Sequence, residues 1–210
     1  GNYKPIGAIQ KYSNQLRLAA FGYMPQSQNN SGNGATFGGV LRAPMKYVGI
    51  KTYDINGQDN TPSTGNPNAE WDANTGVFKK NPESDVIGNS GVINYLNKFG
   101  RTGATQGLYK YYNPLGELYY ETLRYLQGLQ PTSAAIKGIT SEMEDGFPVH
   151  LTWNDPYGGG RTPSTDYSCL KSNIVVIGDV NIDSSGSNRY PNKSAKNNVP
   201  ITEIDDRSVD

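Results

Sequence analysis

Apolar positions recur along this chain in short bursts separated by long polar stretches. Ile6, Ile9 and Tyr12 are spaced by three, which suggests a short helix within residues 3–12. Gln15-Leu-Arg-Leu-Ala-Ala-Phe-Gly-Tyr23 reads as a buried strand. Residues 25–38 are polar and rich in Gly and Asn, a long loop. Gly39-Val-Leu-Arg-Ala-Pro-Met-Lys-Tyr-Val48 reads as a second strand. Pro44 has no N–H for a ladder, which confines this strand to an edge or a bulge. The two strands are expected to pair as a long-looped hairpin.

Residues 51–90 carry few apolar side chains among dense Asn, Gly, Pro, Asp and Thr. They are expected to form an insertion or ordered loop outside the core, pinned by Trp71 and Val77-Phe78. Ser90 to Phe99 has the pattern of a short amphipathic helix stopped at Gly100, with Val92, Leu96 and Phe99 on one face and Ile93 beside them. A longer helix is expected over 114–127. Asn113 suits its cap, Pro114 its first position and Gly128 a left-handed stop. Leu115, Leu118, Tyr119, Thr122 and Leu126 fall on one face. Residues 129–172 read as irregular. Asn173-Ile-Val-Val-Ile-Gly178 is apolar on both faces, the pattern of a central parallel strand. Beyond Asp183 no helix pattern follows.

The totals narrow the function classes. Nineteen basic and nineteen acidic residues cancel, so the basic excess of a nucleic-acid binder is missing and no nucleic-acid partner is expected. No run of about 18 apolar residues is long enough for a membrane-spanning helix. The 25 Gly, 13 Pro and 15 Tyr imply a thin core and much loop, a composition common on secreted and cell-surface proteins. With one His and one Cys, His/Cys catalysis and a His-rich metal site are disfavoured. Cys169 is either a small core residue or half of a disulfide whose partner lies outside this chain.

Several constellations bear on chemistry. Asp54-Ile-Asn-Gly-Gln-Asp59 has the acidic spacing of a calcium turn without the bidentate Glu that completes one, and reads as a solvated turn. Asp183-Ser-Ser-Gly-Ser187 matches Asp-x-Ser-x-Ser but sits too late to end a strand, so a Ser/Gly loop is favoured. Asp179-Val-Asn-Ile-Asp183 resembles the start of a calcium loop, with Gly and Glu out of place. Glu142, Glu144 and Asp145 form a local cluster; glycosidic chemistry needs carboxylates on opposite sides of a sugar, so a solvated turn is expected. His150 lies between Val149 and Leu151 and reads as a structural strand residue. Tyr109, Tyr111, Tyr112, Tyr119, Tyr120 and Tyr125 surround the main helix, either as core or as a face for carbohydrate or protein.

Two resemblances follow from these motifs. A polar loop entering a helix at Asn113, then an apolar strand ending on Asp179, resembles half of the adhesion metal site of a von Willebrand factor A (vWA) domain. Asn113 stands where that pattern has Thr, and the upstream Asp-x-Ser-x-Ser loop is not found in this half. The second resemblance is to the PilY/PilC family of type IV pilus biogenesis factors and tip adhesins. It is carried by Tyr3-Lys-Pro-Ile-Gly-Ala-Ile-Gln-Lys-Tyr12, Leu16-Arg-Leu-Ala-Ala-Phe-Gly-Tyr23, Gly38-Gly-Val-Leu-Arg-Ala-Pro-Met-Lys-Tyr-Val-Gly49 and Asn66-Pro-Asn-Ala-Glu-Trp-Asp-Ala-Asn-Thr-Gly-Val-Phe78. The helices at 90–100 and 114–126, Trp153-Asn-Asp-Pro156 and Ile177-Gly-Asp-Val-Asn181 complete it in order.

The PilY/PilC resemblance implies an α/β fold, vWA-like and partial, with long loop and β-hairpin insertions. Residues 1–210 would be part of an N-terminal vWA-like module, 51–90 and 129–168 its loop-rich insertions, with the family's C-terminal β-propeller outside this chain. It implies a non-enzymatic, secreted protein at the pilus tip on the cell surface. Its partners would be minor pilins, a host or abiotic surface receptor and the remainder of the same protein. Asp179 and Asn113 would be the metal-loop positions, for Mg²⁺ or Ca²⁺. The alternative reading is a secreted carbohydrate-binding module using the Tyr/Asn/Gly loops.

Overall fold

A two-stranded antiparallel hairpin with a helix against each face organises the core of this computed structural model, which describes residues 7–23, 39–54, 56–99, 115–133, 135–158 and 171–177. The elements in order are α1 (Ala8–Tyr12), β1 (Leu18–Gly22), β2 (Val40–Lys46), α2 (Val92–Lys98), α3 (Leu115–Leu126) and α4 (Ser141–Glu144). The short first helix and the hairpin lie where the spacing places them.

The hairpin register slips twice. Leu18 pairs with Lys46, Ala20 with Ala43, Phe21 with Leu41 and Gly22 with Val40. Each slip inserts one extra residue into β2, one in the stretch 44–45 and one at Arg42. The first falls at the proline, which cannot donate to the ladder in any case. The N–H of Met45 beside it turns instead to the Tyr125 hydroxyl at 2.8 Å. The second slip breaks the alternation, so Val40, Leu41, Arg42 and Ala43 are all buried in succession.

The two faces of the hairpin feed two clusters. Ala20 and Ala43 pack with Val48, Trp71, Val92, Ile93, Tyr95 and Phe147. Leu41 packs with Tyr125 and Trp153, joined by Ala19, Phe21 and Met45. The first face is floored with alanine and Gly22 because α2 approaches closely. A Cβ on Gly22 would fall 1.7 Å from the Tyr95 hydroxyl oxygen. On the second face Phe21, Tyr125 and Trp153 form a ring triangle with centroids 5.5–5.7 Å apart and tilted or edge-on planes. Such geometry adds about 0.5–1.5 kcal/mol per pair beyond simple burial.

Helix α2 is where the pattern places a helix, but the face differs. Val92, Ile93, Asn94 and Tyr95 are buried, whereas Leu96 and Phe99 are 43% and 54% exposed. In so short a helix burial follows depth, with the first turn inserted on every side and the last emerging. Gly100, its expected stop, lies outside the described residues. In α3 the end is as expected. Gly128 has φ +72, its N–H reaches the Tyr125 carbonyl and the Leu129 N–H reaches the Arg124 carbonyl, which closes the last turn. Among the α3 positions whose burial is described, Glu121 and Tyr125 are buried, while Tyr119 of the expected face is 45% exposed. A periodicity that scores only apolar residues cannot place Glu121 inside.

Three further expectations are corrected. The described residues of 51–90 contain no helix or strand, only isolated bridges pairing Tyr53 with Asp59 and Trp71 with Phe78, yet Ala69, Glu70 and Trp71 enter the core. Trp71 pins the segment, whereas Val77 and Phe78 are 65% and 45% exposed. The irregular stretch after α3 contains the single turn α4. The apolar run at 173–177 forms no ladder and is not a buried strand; Val175 and Ile177 are more than four-fifths exposed. Apolarity on both faces predicts burial only where neighbouring strands exist, and among the described residues none lies beside it.

Candidate functional site

The second bulge turns Arg42 into the interior, where its guanidinium joins the hairpin to the α4 segment. Nη1 donates to the Glu144 carbonyl at 2.7 Å and, more weakly, to that of Phe147. Nη2 donates to the carbonyls of Met143 at 2.9 Å and Tyr23 at 3.1 Å. The Tyr95 ring lies under the cation, 5.7 Å from centroid to guanidinium carbon. Burial pulls the guanidinium below its ordinary pKa, and Tyr95, Asp145 and Glu144 oppose that shift. Asp145 is 2% exposed and has φ +52, so the Glu142–Asp145 cluster is a turn whose last carboxylate is buried, and the expectation of a solvated turn fails there.

A second polar joint orders the loop 51–90. Gly91 precedes α2 and offers no side chain to its free N–H groups. Glu70 supplies the cap from the loop instead. Its two carboxylate oxygens accept from Val92 and Ile93, each at 2.7 Å. Lys46 of β2 lies 3.3 Å from Glu70 and also bonds Glu83. Asn66 donates to the carbonyls of Tyr47 and Gly49, which holds the loop against the end of β2.

Beyond those anchors the loop is fastened turn by turn. The Asp54 carboxylate accepts from Asn56 and Gln58, Asp59 from Thr61, Asp72 from Asn74 and Thr75, and Asp85 from Ile87. Each is an Asx-type turn in which the side chain replaces a missing backbone partner. Asp59 also pairs with Lys51 at 2.8 Å; that bond first, then Thr61, lowers its pKa, and Asp59 raises that of Lys51. The carboxylates of the supposed calcium turn are thus engaged in holding the turn. The result is an ordered loop surface from which Val77, Phe78 and the fully exposed Val86 project.

The metal-loop positions Asn113 and Asp179 lie outside the described residues, as do Cys169, Asp183, Ser187, Tyr109, Tyr111 and Tyr112. Among the described residues no group of three or more His, Cys, Asp or Glu is placed to hold a metal. Of the tyrosines around α3, Tyr125 is core, Tyr119 exposed, and Tyr120 lies under Arg124 at 5.7 Å. His150 is half-buried outside any strand. Its N–H reaches the Leu41 carbonyl, its Nε2 is buried without a hydrogen-bond partner, and burial lowers its pKa.

The buried polar joints at Arg42 and Glu70 are invisible to hydrophobic patterning, which assigns charged residues to solvent. The interruption of alternation at Pro44 is one available signal of a bulged strand.

The family model described as PilY1 homolog, second domain, matches residues 21–206. The chain is 35% identical over 230 aligned residues to the type IV pilus biogenesis factor PilY1 homolog of Xylella fastidiosa (strain Temecula1 / ATCC 700964). That alignment takes in 100% of this chain and 17% of the relative, so the chain spans about a sixth of the curated protein it matches. No solved structure matches it.

Proposed function

The chain belongs to the PilY1 homolog family, and from that premise we propose that it serves type IV pilus biogenesis and surface attachment by binding, not by catalysis. The observation that carries the reading is the match along nearly the whole chain to the family's second domain. The location proposed is the cell surface at the pilus tip, with minor pilins and a surface receptor as partners. A vWA-like fold, with Mg²⁺ or Ca²⁺ held through Asp179 and Asn113, belongs to the same proposal. The loop 51–90 is the proposed contact face, because loops held on a rigid scaffold are where binding residues concentrate.

Three strains test this. A gene deletion is expected to reduce pili seen by electron microscopy. The triple change Val77→Asp, Phe78→Asp and Val86→Asp is expected to leave pili in place and lower attachment several-fold, since all three residues project from ordered turns. Chelation of divalent cations is expected to lower attachment too, and to add nothing in an Asp179→Ala strain. Wild-type piliation and attachment in the deletion strain would sink the proposal.

A further inference from the structure

His150 is the single histidine of the chain, and it sits where the segment after α4 is fastened to β2. Its backbone N–H donates to the Leu41 carbonyl at 3.1 Å, and its carbonyl accepts the Trp153 indole N–H at 3.0 Å. The imidazole belongs to the same joint. The backbone of Arg42 bonds it, and the charged side chains acting on it are Lys46 of β2 and Glu83 and Asp85 of the loop. Its Nε2 is buried with no hydrogen-bond partner. We propose that His150 is an acid-sensitive pin, whose protonation loosens residues 149–153 from β2 while the rest of the hairpin stays closed.

A neutral imidazole tolerates this position, because the bare nitrogen forgoes one hydrogen bond and carries no charge. A protonated one places an N–H and a positive charge there, and a buried charge must be paired. The two carboxylates that act on it are already engaged. Glu83 pairs with Lys46, and Asp85 accepts from the Ile87 N–H. Drawing Glu83 to His150 would take it from Lys46, whereas turning the imidazole out to water breaks neither contact. Outward movement gives up the bonds to Leu41 and Arg42. Burial, aided by Lys46 and opposed by Glu83 and Asp85, holds the imidazole below the ordinary histidine value of 6.5. The closed form therefore takes up its proton at lower pH than the opened one. The pin is complete above that ordinary value and is lost as pH falls from it through the closed-state value. Arg42 holds α4 through the carbonyls of Met143 and Glu144, which do not titrate, so the opening is confined to the residues after them.

Hydrogen exchange of the complete gene product, read by mass spectrometry at ~pH 7.5 and ~pH 5.5 and corrected for the intrinsic pH dependence of exchange, tests this. The amides of His150 and Trp153, bonded to the Leu41 carbonyl and the Gln130 side chain, are expected to lose protection by about threefold to tenfold at the lower pH. Tenfold is about the most that one pH unit below the ordinary value allows. The amides of β1 and β2 are expected to keep theirs, since Leu41 lends this joint only its carbonyl. His150→Gln, whose side chain cannot charge, is expected to show equal protection at both pH values. His150→Phe, an apolar ring of similar size, serves where the Gln variant does not fold. Unchanged protection of 149–153 in the parent would overturn the proposal, and that reading needs no substitution. So would an equal loss in the variant, or a loss shared by β1 and β2, which would mark acid unfolding of the whole.

Discussion

Glu121 shows how much a single residue can alter the reading of an element. It is fully buried in α3, where its carboxylate accepts from the Thr132 hydroxyl at 2.6 Å and from the Thr132 N–H at 3.2 Å. Burial raises its pKa above the ordinary glutamate range, and the two Thr132 bonds and Arg124 only partly oppose this. The sign follows by linkage. A carboxyl with a raised folded-state pKa contributes stability below its unfolded value, and this is lost as pH rises through the folded value. Glu121→Gln keeps the shape and an acceptor but cannot ionise. The variant is expected to match the parent at pH below the ordinary glutamate range and to gain on it as pH rises from there through the raised pKa. Urea midpoints taken across that range would check this; a constant offset would show that Glu121 titrates normally in the fold. Positions whose demand is set by the backbone were legible, as Gly128 and Pro44 show. Glu121 was not, because its burial depends on Thr132, eleven residues away and in no shared element.

The same contrast holds at the scale of elements. Helix α1, both strands, α2 and α3 lie where spacing and, for α3, the closing Gly128 put them, because these signals act within a few residues. Their rotation and mutual seating were hidden. The first turn of α2 is capped by Glu70 from the loop, and α4 is fastened to the hairpin by Arg42, a contact more than a hundred residues distant in sequence. Arg42 is also where a joint between elements can be broken alone. Arg42→Met keeps volume but strips hydrogen bonds from the carbonyls of Tyr23, Met143 and Glu144. The expected cost is about 3 kcal/mol or more, since a buried carbonyl left unsatisfied costs about 1–3 kcal/mol and three lose their donor. Arg42→Lys should fall between, since one ammonium cannot reach all the carbonyls that the planar fork spans. Denaturant unfolding reads both, and a shift in midpoint at constant slope marks a change in stability. A loss under about 1 kcal/mol for the Met variant would mean that this joint does not hold α4 to the hairpin.

For the molecule as a whole, the question is whether its two clusters behave as one. They lie on opposite faces of a hairpin only two strands wide, and a hairpin of that size is marginal by itself. Each cluster therefore needs the other, since losing either helix would expose one face of the strands on which the second rests. The chain contains two tryptophans, Trp71 in the α2 cluster and Trp153 in the α3 cluster, so each face carries its own fluorescent reporter. Trp71→Phe leaves the α3 side visible, and Trp153→Phe leaves the α2 side visible. Each variant is expected to lose stability, so the two midpoints need not agree with each other. Within either variant the fluorescence transition should coincide with that of far-ultraviolet circular dichroism, the signature of one cooperative unit. Arg42, Tyr125 with Met45, and Tyr95 against Gly22 supply the physical link, since each ties one helix or segment to the strands that both faces share. A fluorescence midpoint separated from the dichroism midpoint in either variant would show that the hairpin does not transmit stability, and that one face unfolds while the other remains.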